Sequence, residues 1–233
     1  MKSVFALKLS IIIPTLNEYQ NLLKLAAFIG GINMDNVEVI VADSKFTNDN
    51  SMSIGFPFRY MQTGMTGRAA QMNLGANVAS GDILVFLHAD VKPPVSFVED
   101  IIYCIKKGNE FGFFAYRFYP SSFMVDINAG FTGRKGLFAG GGDQIHFMTR
   151  SLFMTIGGYN EKFTIMEDFD FVRRFKKLKK PYQIIQKPAL VSSRKYFHNS
   201  WLRVNTANLM AFTLFLIYIN PELIKKWYYK ILK

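Results

Sequence analysis

Three short apolar runs constrain the fold of this chain more than anything else in it: "IIIP" at 11–14, "VIVA" at 39–42 and "ILVFL" at 83–87. None alternates apolar with polar, as a strand with one wet face does, so each reads as a strand buried on both faces. Helical periods lie between them, at residues 18–29 and 67–79. "LKLSIII", "VEVIVA" and "DILVFL" are therefore expected as strands of an α/β domain, with a mostly parallel central sheet flanked by helices.

Ligands of such sheets sit beyond the carboxyl ends of the strands. The polar residues collect there: Thr15, Asn17 and Glu18 after the first run, Asp43 after the second, His88 and Asp90 after the third. From residue 111 the pattern changes to "FGFFAYRFY", a helix expected at about residues 126–138, the glycine cluster "AGGGDQ" and a strand "QIHFMT". A prior of about 150 residues per domain does not force a split of 233 residues. The whole of 1–233 reads as one domain, with a nucleotide-binding half at about 1–110, an acceptor half at about 111–198 and a C-terminal helical segment at 199–233.

Composition narrows the class. The single cysteine, Cys104, excludes an internal disulfide and suits a reducing, cytoplasmic setting; its context "IIYCIKK" predicts a core-facing helix. The N-terminal "MKSVFALKLSIIIPTLNE" meets Pro14, Asn17 and Glu18 where a cleavage site should stand, so it reads as a first strand and not a signal peptide. No run reaches the roughly 18 apolar residues of a spanning helix; the nearest, at 209–219, reads as a core or interfacial helix. Of 28 Lys and Arg, 14 lie from residue 171 onward, where Glu222 is the only acid. That asymmetry predicts an anionic partner, phosphate groups or the inner face of a membrane touched peripherally, rather than nucleic acid, for which no reading motif is present.

Each polar candidate has a bland reading beside the chemical one. Asp90 fits a hard cation or a ribose, or else caps a helix starting near Pro93 or Pro94. His88 fits a ligand or a satisfied core histidine. Asp43 fits a nucleobase edge or ribose, or a turn in "SKFTNDN". "GMTGRAAQMN" opens a helix with Arg68 in its first turn, an anion site beside backbone N–H groups, or an ordinary helix whose Gly75 packs on a strand. In "IMEDFDFVRRFKKL" helical spacing puts Asp168 at the top of the apolar face, an ionised base favoured by the helix dipole, while Glu167 and Asp170 are expected to turn elsewhere. The alternative there is an acidic cluster that only stabilises its helix.

"IIIPTLNE", Asp43, "GRAAQMNLGANVASGDILVFLHAD" and "GGDQIHFMTRSLFMTIGGYNEKFTIMEDFDFVRRF", in that order over about residues 8–198, resemble the family 2 glycosyltransferases of the GT-A fold. The wording "GRAxQMN…FLHAD" and the late "SSRKY" look closest to a bacterial subgroup labelled arsenosugar-biosynthesis-type glycosyltransferases. The resemblance implies an enzyme that moves a sugar from a nucleoside-diphosphate sugar to an acceptor hydroxyl, with inversion and with Mg²⁺ or Mn²⁺. It assigns Thr15, Asn17, Glu18, Asp43, Arg68, Asn73 and Arg194 to the nucleotide, Asp90 with His88 to the metal, and Asp168 with Glu167 to catalysis. The acceptor is open, a lipid-linked one included. His88 stands where the family's DxD motif has its first acid, "SKFTND" stands where "GGSTDG" is usual, and no large extra domain follows, which argues against processive synthesis. A nucleotidyltransferase, whose glycine-rich signature is missing after the first strand, and a non-catalytic relative that binds nucleotide sugars are the alternatives.

Overall fold

The structure, a computed structural model, describes residues 7–64 and 67–232; the part of the N-terminal reading that rests on residues 1–6 lies outside them. Strands β1 (Leu9–Thr15), β2 (Val37–Ser44), β3 (Phe58–Thr63) and β4 (Ile83–Phe86) alternate with helices α1 (Tyr19–Ile29) and α2 (Arg68–Val78). Then follow β5 (Val91–Lys92), α3 (Phe97–Lys106), β6 (Phe111–Tyr119), α4 (Phe123–Ala129), β7 (His146–Thr149), α5 (Arg150–Ile156), α6 (Glu167–Lys177) and β8 (Gln183–Ser192). Three helices finish the chain: α7 (Lys195–His198), α8 (Trp201–Leu216) and α9 (Pro221–Ile231).

All eight strands join one sheet in the order β3-β2-β1-β4-β7-β6-β8-β5. The first four are parallel, β7 runs antiparallel between β4 and β6, and β8 returns parallel to β6. The chain leaves β1 towards β2 and β3 on one side and comes back to β4 on the other. The carboxyl ends of β1 and β4 thus flank a topological switch point, where such sheets open a crevice.

The unbroken apolar runs are explained by helices on both faces. Ile11, Ile13, Val39, Val41, Ile83 and Val85 point to the side of α1 and α3, while Ile12, Ile40, Leu84 and Phe86 point to the side of α2, α5 and α6. Each fully buried side chain of this size contributes roughly 1.5–3 kcal/mol. Gly75 is required by closeness: a Cβ there would stand 2.5 Å from Ile12 Cγ2. Cys104 is buried on α3 as expected. Arg150 fastens the two halves, donating from Nε to the Gly81 carbonyl at 2.8 Å, from Nη1 to Ala76 at 3.1 Å and from Nη2 to Ala79 at 2.6 Å, so it satisfies carbonyls orphaned at the end of α2.

The structure departs from expectation at two elements. The helix expected at 126–138 is α4, which stops at Ala129 because Gly130 and Gly133 follow before the chain can continue it. The helix expected near Pro93 begins at Phe97, with Ser96 at its N-cap, so Asp90 caps nothing. The apolar run at 209–219 lies in α8 and the turn after it and forms a small core, one of the two readings expected: Ala211 and Phe215, with Ile224 of α9, pack on Phe163, Ile165, Met166 and Phe169, the approach to α6.

Candidate active site

The register of β1 on β2 sets Thr15 beside Asp43. Asp43 Oδ1 accepts from the hydroxyls of Thr15 and Thr47, each at 2.7 Å, and from the Ser44 N–H at 3.1 Å. Asp43 is fully buried, and its Oδ2 has no partner among the described residues. One carboxylate oxygen therefore holds the loop after β2, and the other is buried and unpaired, a position that calls for a donor such as a ligand N–H or a water. Gln71, to which the sequence reading gave no role, ties the two strand ends from the opposite face: its Nε2 donates to the Thr15 carbonyl at 2.6 Å and the Ala42 carbonyl at 2.9 Å. Asn17 sits at φ 57°, a conformation its short polar side chain tolerates, and its Oδ1 accepts the Asn48 N–H at 2.8 Å.

Glu18 Oε1, just before α1, lies 3.1 Å from Arg194 Nη2, and the same nitrogen lies 3.2 Å from Asp90 Oδ2. Residues 18, 90 and 194 come from the ends of β1, β4 and β8 respectively. Burial, reinforced by the charges of Asp143 and Glu18 and opposed by Arg194, pushes the Asp90 carboxyl up to about 6. His88 is buried, and burial together with the nearby Arg68 lowers its pKa to about 3, against the pull of Asp143. The imidazole is neutral at physiological pH, the form that ligates metals.

The second cluster is built around Arg68. Gly67, at φ 107°, turns the chain into α2, and the Arg68 guanidinium then crosses to the start of α6. Its Nε donates to Glu167 Oε1, its Nη2 lies 3.9 Å from Asp168 Oδ2 and its Nη1 lies 4.0 Å from Asp143 Oδ1. Three acids outweigh the effect of burial and raise the arginine's pKa still higher. The expectation that only Asp168 points inward does not hold: Glu167 is 0%, Asp168 3% and Asp170 2% exposed. Helical spacing alone could not show this, because Glu167 is buried against Arg68, which α2 brings from 99 residues away. Asp170 is taken by Arg173 at 2.7 Å and Arg174 at 2.8 Å, a structural pair within the helix. The expectation of an ionised Asp168 is also corrected: burial and the charge of Glu167 beside it raise its pKa well above the usual carboxylate range, Arg68 opposing. Two acids share one arginine, and the raised pKa belongs to Asp168, the one farther from it.

Asp143 joins the clusters, and the sequence reading assigned it nothing. Burial pushes it upward, but His88, Lys195, Arg68 and Arg194 together outweigh that and lower its pKa. The signal was present in "AGGGDQ": Gly140 and Gly142 have φ of 79° and 75°, and a Cβ on Gly141 would stand 2.0 Å from the Phe169 ring. Glycines bent that tightly bring a polar residue to a site. Lys195 was also missed; its Nζ donates to Tyr228 of α9 at 2.8 Å. Asn73 stands apart from the others. Its carboxamide accepts the Tyr159 N–H at 2.8 Å and donates to the Tyr159 carbonyl at 2.9 Å and to Glu161 at 2.8 Å, beside an open pocket of about 360 Å³.

Among the described residues, no group of three or more His, Cys, Asp and Glu is gathered to hold a metal ion. The donor set at the switch point still fits a divalent cation of a particular kind. Asp90 offers one carboxylate in surroundings crowded with negative charge, and His88 a neutral nitrogen. Such a cation would draw its remaining oxygen ligands from a bound diphosphate and water.

A doubly covered, mostly parallel sheet with acids and arginines at its switch point defines the GT-A class of nucleotide-sugar transferase folds. The sequence profile of glycosyl transferase family 2 matches residues 10–161, and the chain belongs to that family. A dolichol-phosphate mannosyltransferase of Pyrococcus furiosus is 30% identical over 111 residues, which make up 45% of this chain and 32% of the relative; the match thus spans about a third of that relative's length. A mannosyltransferase of Pyrobaculum calidifontis in complex with GDP-Man and Mn²⁺ superposes with a TM-score of 0.67 at 16% identity, covering 89% of this chain and 63% of that one. S. aureus TarS 1–349 in complex with UDP-GlcNAc gives 0.65 at 13% identity, covering 97% and 71%. Glucosyl-3-phosphoglycerate synthase of Mycobacterium tuberculosis, in complex with Mn²⁺ and UDP, gives 0.61 at 17% identity, covering 89% and 80%.

Proposed function

We propose that this chain transfers a sugar from a nucleoside-diphosphate sugar to an acceptor hydroxyl with inversion at the anomeric carbon. The observation that carries the reading is the meeting of Arg68, from the nucleotide half, with Glu167 and Asp168, from the acceptor half, linked through Asp143 to Asp90. Thr15, Asn17, Glu18 and Asp43 line the nucleotide side, where Asp43 Oδ2 is the unpaired acceptor for a base or ribose. Asp90, with neutral His88 beside it, would hold Mg²⁺ or Mn²⁺, which when bound supplies positive charge against the leaving diphosphate. Arg194 stands ready for the same charge.

Asp168 is the base. A carboxylate of raised pKa is a stronger proton acceptor once ionised, and the Arg68 charge beside it favours that ionised form. The acceptor O–H gives its proton to Asp168 while the new O–C1 bond forms and the bond from C1 to the diphosphate oxygen breaks. Glu167 fixes Arg68 and so orients the site. Side-on exposure of Leu202, Leu209, Ile217, Tyr218, Trp227 and Tyr229 on the C-terminal helices, next to Lys225, Lys226 and Lys230, supports a peripheral membrane contact and a lipid-linked acceptor. The bacterial arsenosugar-type assignment rests on the wording of "GRAxQMN…FLHAD" and "SSRKY" alone.

The test is incubation with a panel of UDP-, GDP- and dTDP-sugars plus Mn²⁺, measuring release of nucleoside diphosphate. Release with one donor, lost in Asp168→Asn, is expected. Tight binding of nucleotide sugar without release from any donor or with any acceptor extract would replace the enzyme by a binding relative.

A further inference from the structure

Arg194 holds an unusual place in the site. One of its nitrogens lies between two carboxylates, 3.1 Å from Glu18 and 3.2 Å from Asp90, which is where a cation shared by those acids would sit. The side chain is 56% exposed and is held there by a hydrogen bond to Glu18 and the charge of Asp90. Arg150 makes the contrast, with three nitrogens locked on carbonyls, and so does Arg174, anchored to both Asp170 and the Ile156 carbonyl. Arg194 also lies in the turn joining β8 to α7, so a swing of its side chain disturbs no strand or helix core.

We propose that Arg194 is the resident counter-ion of the cation position: it neutralises Asp90 and Glu18 in the empty site and leaves them for the diphosphate when a divalent cation takes its place. The inference rests on the reading of the site as one for a nucleoside diphosphate and its cation.

The consequence is coupling. A divalent cation arriving alone has to evict a guanidinium that then has no anion of its own and is repelled by the newcomer. A diphosphate arriving alone meets Asp90 and Glu18, and can draw Arg194 away only by leaving two carboxylates bare beside its own charge. Arriving together, the cation takes the carboxylates and the diphosphate takes the arginine, and every charge has a partner. Half-exposed pairs of this kind are individually weak, so the exchange is not prevented, only made conditional. Each ligand then raises the affinity for the other by the same factor.

The experiment uses the full chain and reads binding, not turnover. Free Mn²⁺ is followed by electron paramagnetic resonance in the absence of nucleotide, and UDP and GDP are each titrated by calorimetry with and without Mn²⁺. Arg194→Ala is expected to bind Mn²⁺ alone roughly three- to tenfold more tightly than the wild type, because Asp90 and Glu18 are freed. It is also expected to bind nucleoside diphosphate with Mn²⁺ less tightly, so that the coupling factor falls towards one. Arg194→Lys, which keeps the charge, should retain most of the coupling, and Asp90→Asn added to Arg194→Ala should abolish the gain in Mn²⁺ affinity. A residue needed only for folding or only for the diphosphate would not raise affinity for the cation. Nucleotide binding that is intact in the wild type, with Mn²⁺ affinity unchanged or lowered in Arg194→Ala, overturns this inference and leaves the proposed function standing. Failure of the wild type to bind either nucleotide with Mn²⁺ overturns both.

Discussion

Glu167 and Asp168 share Arg68, and their unequal hold on it separates two roles that adjacent acids in a sequence cannot reveal. Glu167 takes the guanidinium directly, whereas Asp168 lies 3.9 Å from it and has its pKa raised by burial and by its neighbour. Replacing Asp168 by Asn should lower kcat by about 10²-fold or more while nucleotide affinity stays nearly intact, as single-turnover kinetics and calorimetry would show. Loss of folding with loss of binding would return Asp168 to a helix-stabilising role. His146 gives a residue-scale prediction for stability. Its ring lies between the Gly140 carbonyl, at 2.8 Å, and the Tyr159 hydroxyl, at 3.2 Å, and burial lowers its pKa from 6.5 to about 4, against the Gly140 hydrogen bond. A depressed folded-state pKa means stability fully present above pH 6.5 and lost as pH falls towards 4, on the order of 2–3 kcal/mol. Asp90, raised to about 6, contributes in the opposite sense over part of the same range, so the wild-type profile is a sum. The difference in urea-unfolding free energy between the wild type and His146→Asn should therefore shrink as pH drops through that window; a constant difference would disprove it.

Helix α2 shows how an element can carry a site at one end and only structure at the other. Arg68 at its start reaches the acids of α6, while Asn73, one and a half turns on, braces the loop that leads towards α6 by three hydrogen bonds to Tyr159 and Glu161. Both lie in the motif "GRAAQMN", and the resemblance gives both to the nucleotide. Asn73→Ala should cost about 2–3 kcal/mol of stability, since it leaves the buried Tyr159 backbone unpaired, with nucleoside-diphosphate affinity unchanged. A Kd change without a change in Tm would restore Asn73 to the nucleotide. Helix α6 makes the complementary point: its dipole favours negative charge at its start, yet burial and the adjacent charge of Glu167 reverse the outcome for Asp168.

At the scale of the whole molecule, the C-terminal helices have two faces with different duties. The inner face, with Phe212 and Phe215 buried, packs on the approach to α6, and Tyr228 holds Lys195. Those two phenylalanines are therefore not available to lipid. The outer face keeps Trp227, over whose ring Lys230 lies at 4.8 Å, with Leu202, Leu209, Tyr218 and Tyr229. No helix among the described residues is long and apolar enough to cross a membrane. Sedimentation with vesicles rich in anionic lipid should carry the full chain down at low salt. Neutralising Lys225, Lys226 and Lys230 should weaken binding by about 1 kcal/mol per charge. No binding to anionic vesicles at low salt would favour an acceptor free in solution.

The sequence by itself determined the sheet and where its site would lie. Runs such as "IIIP" and "ILVFL" are apolar on every residue because helices cover both faces, and a period that strict leaves one architecture and one edge for polar residues. It also placed Asp90, Asp168 and Arg68 at that edge, because each follows a strand or opens a helix. What it could not contain were partners brought from far along the chain. Arg68 meets Glu167 across 99 residues and Arg194 meets Glu18 across 176, so whether an arginine waits for phosphate or already holds an acid was decided only by the tertiary structure. Burial and charge worked in the same way: a helix wheel puts Asp168 on the apolar face of α6, and only the fold buried it beside Glu167 and brought Asp143 near, which raised its proton affinity against Arg68.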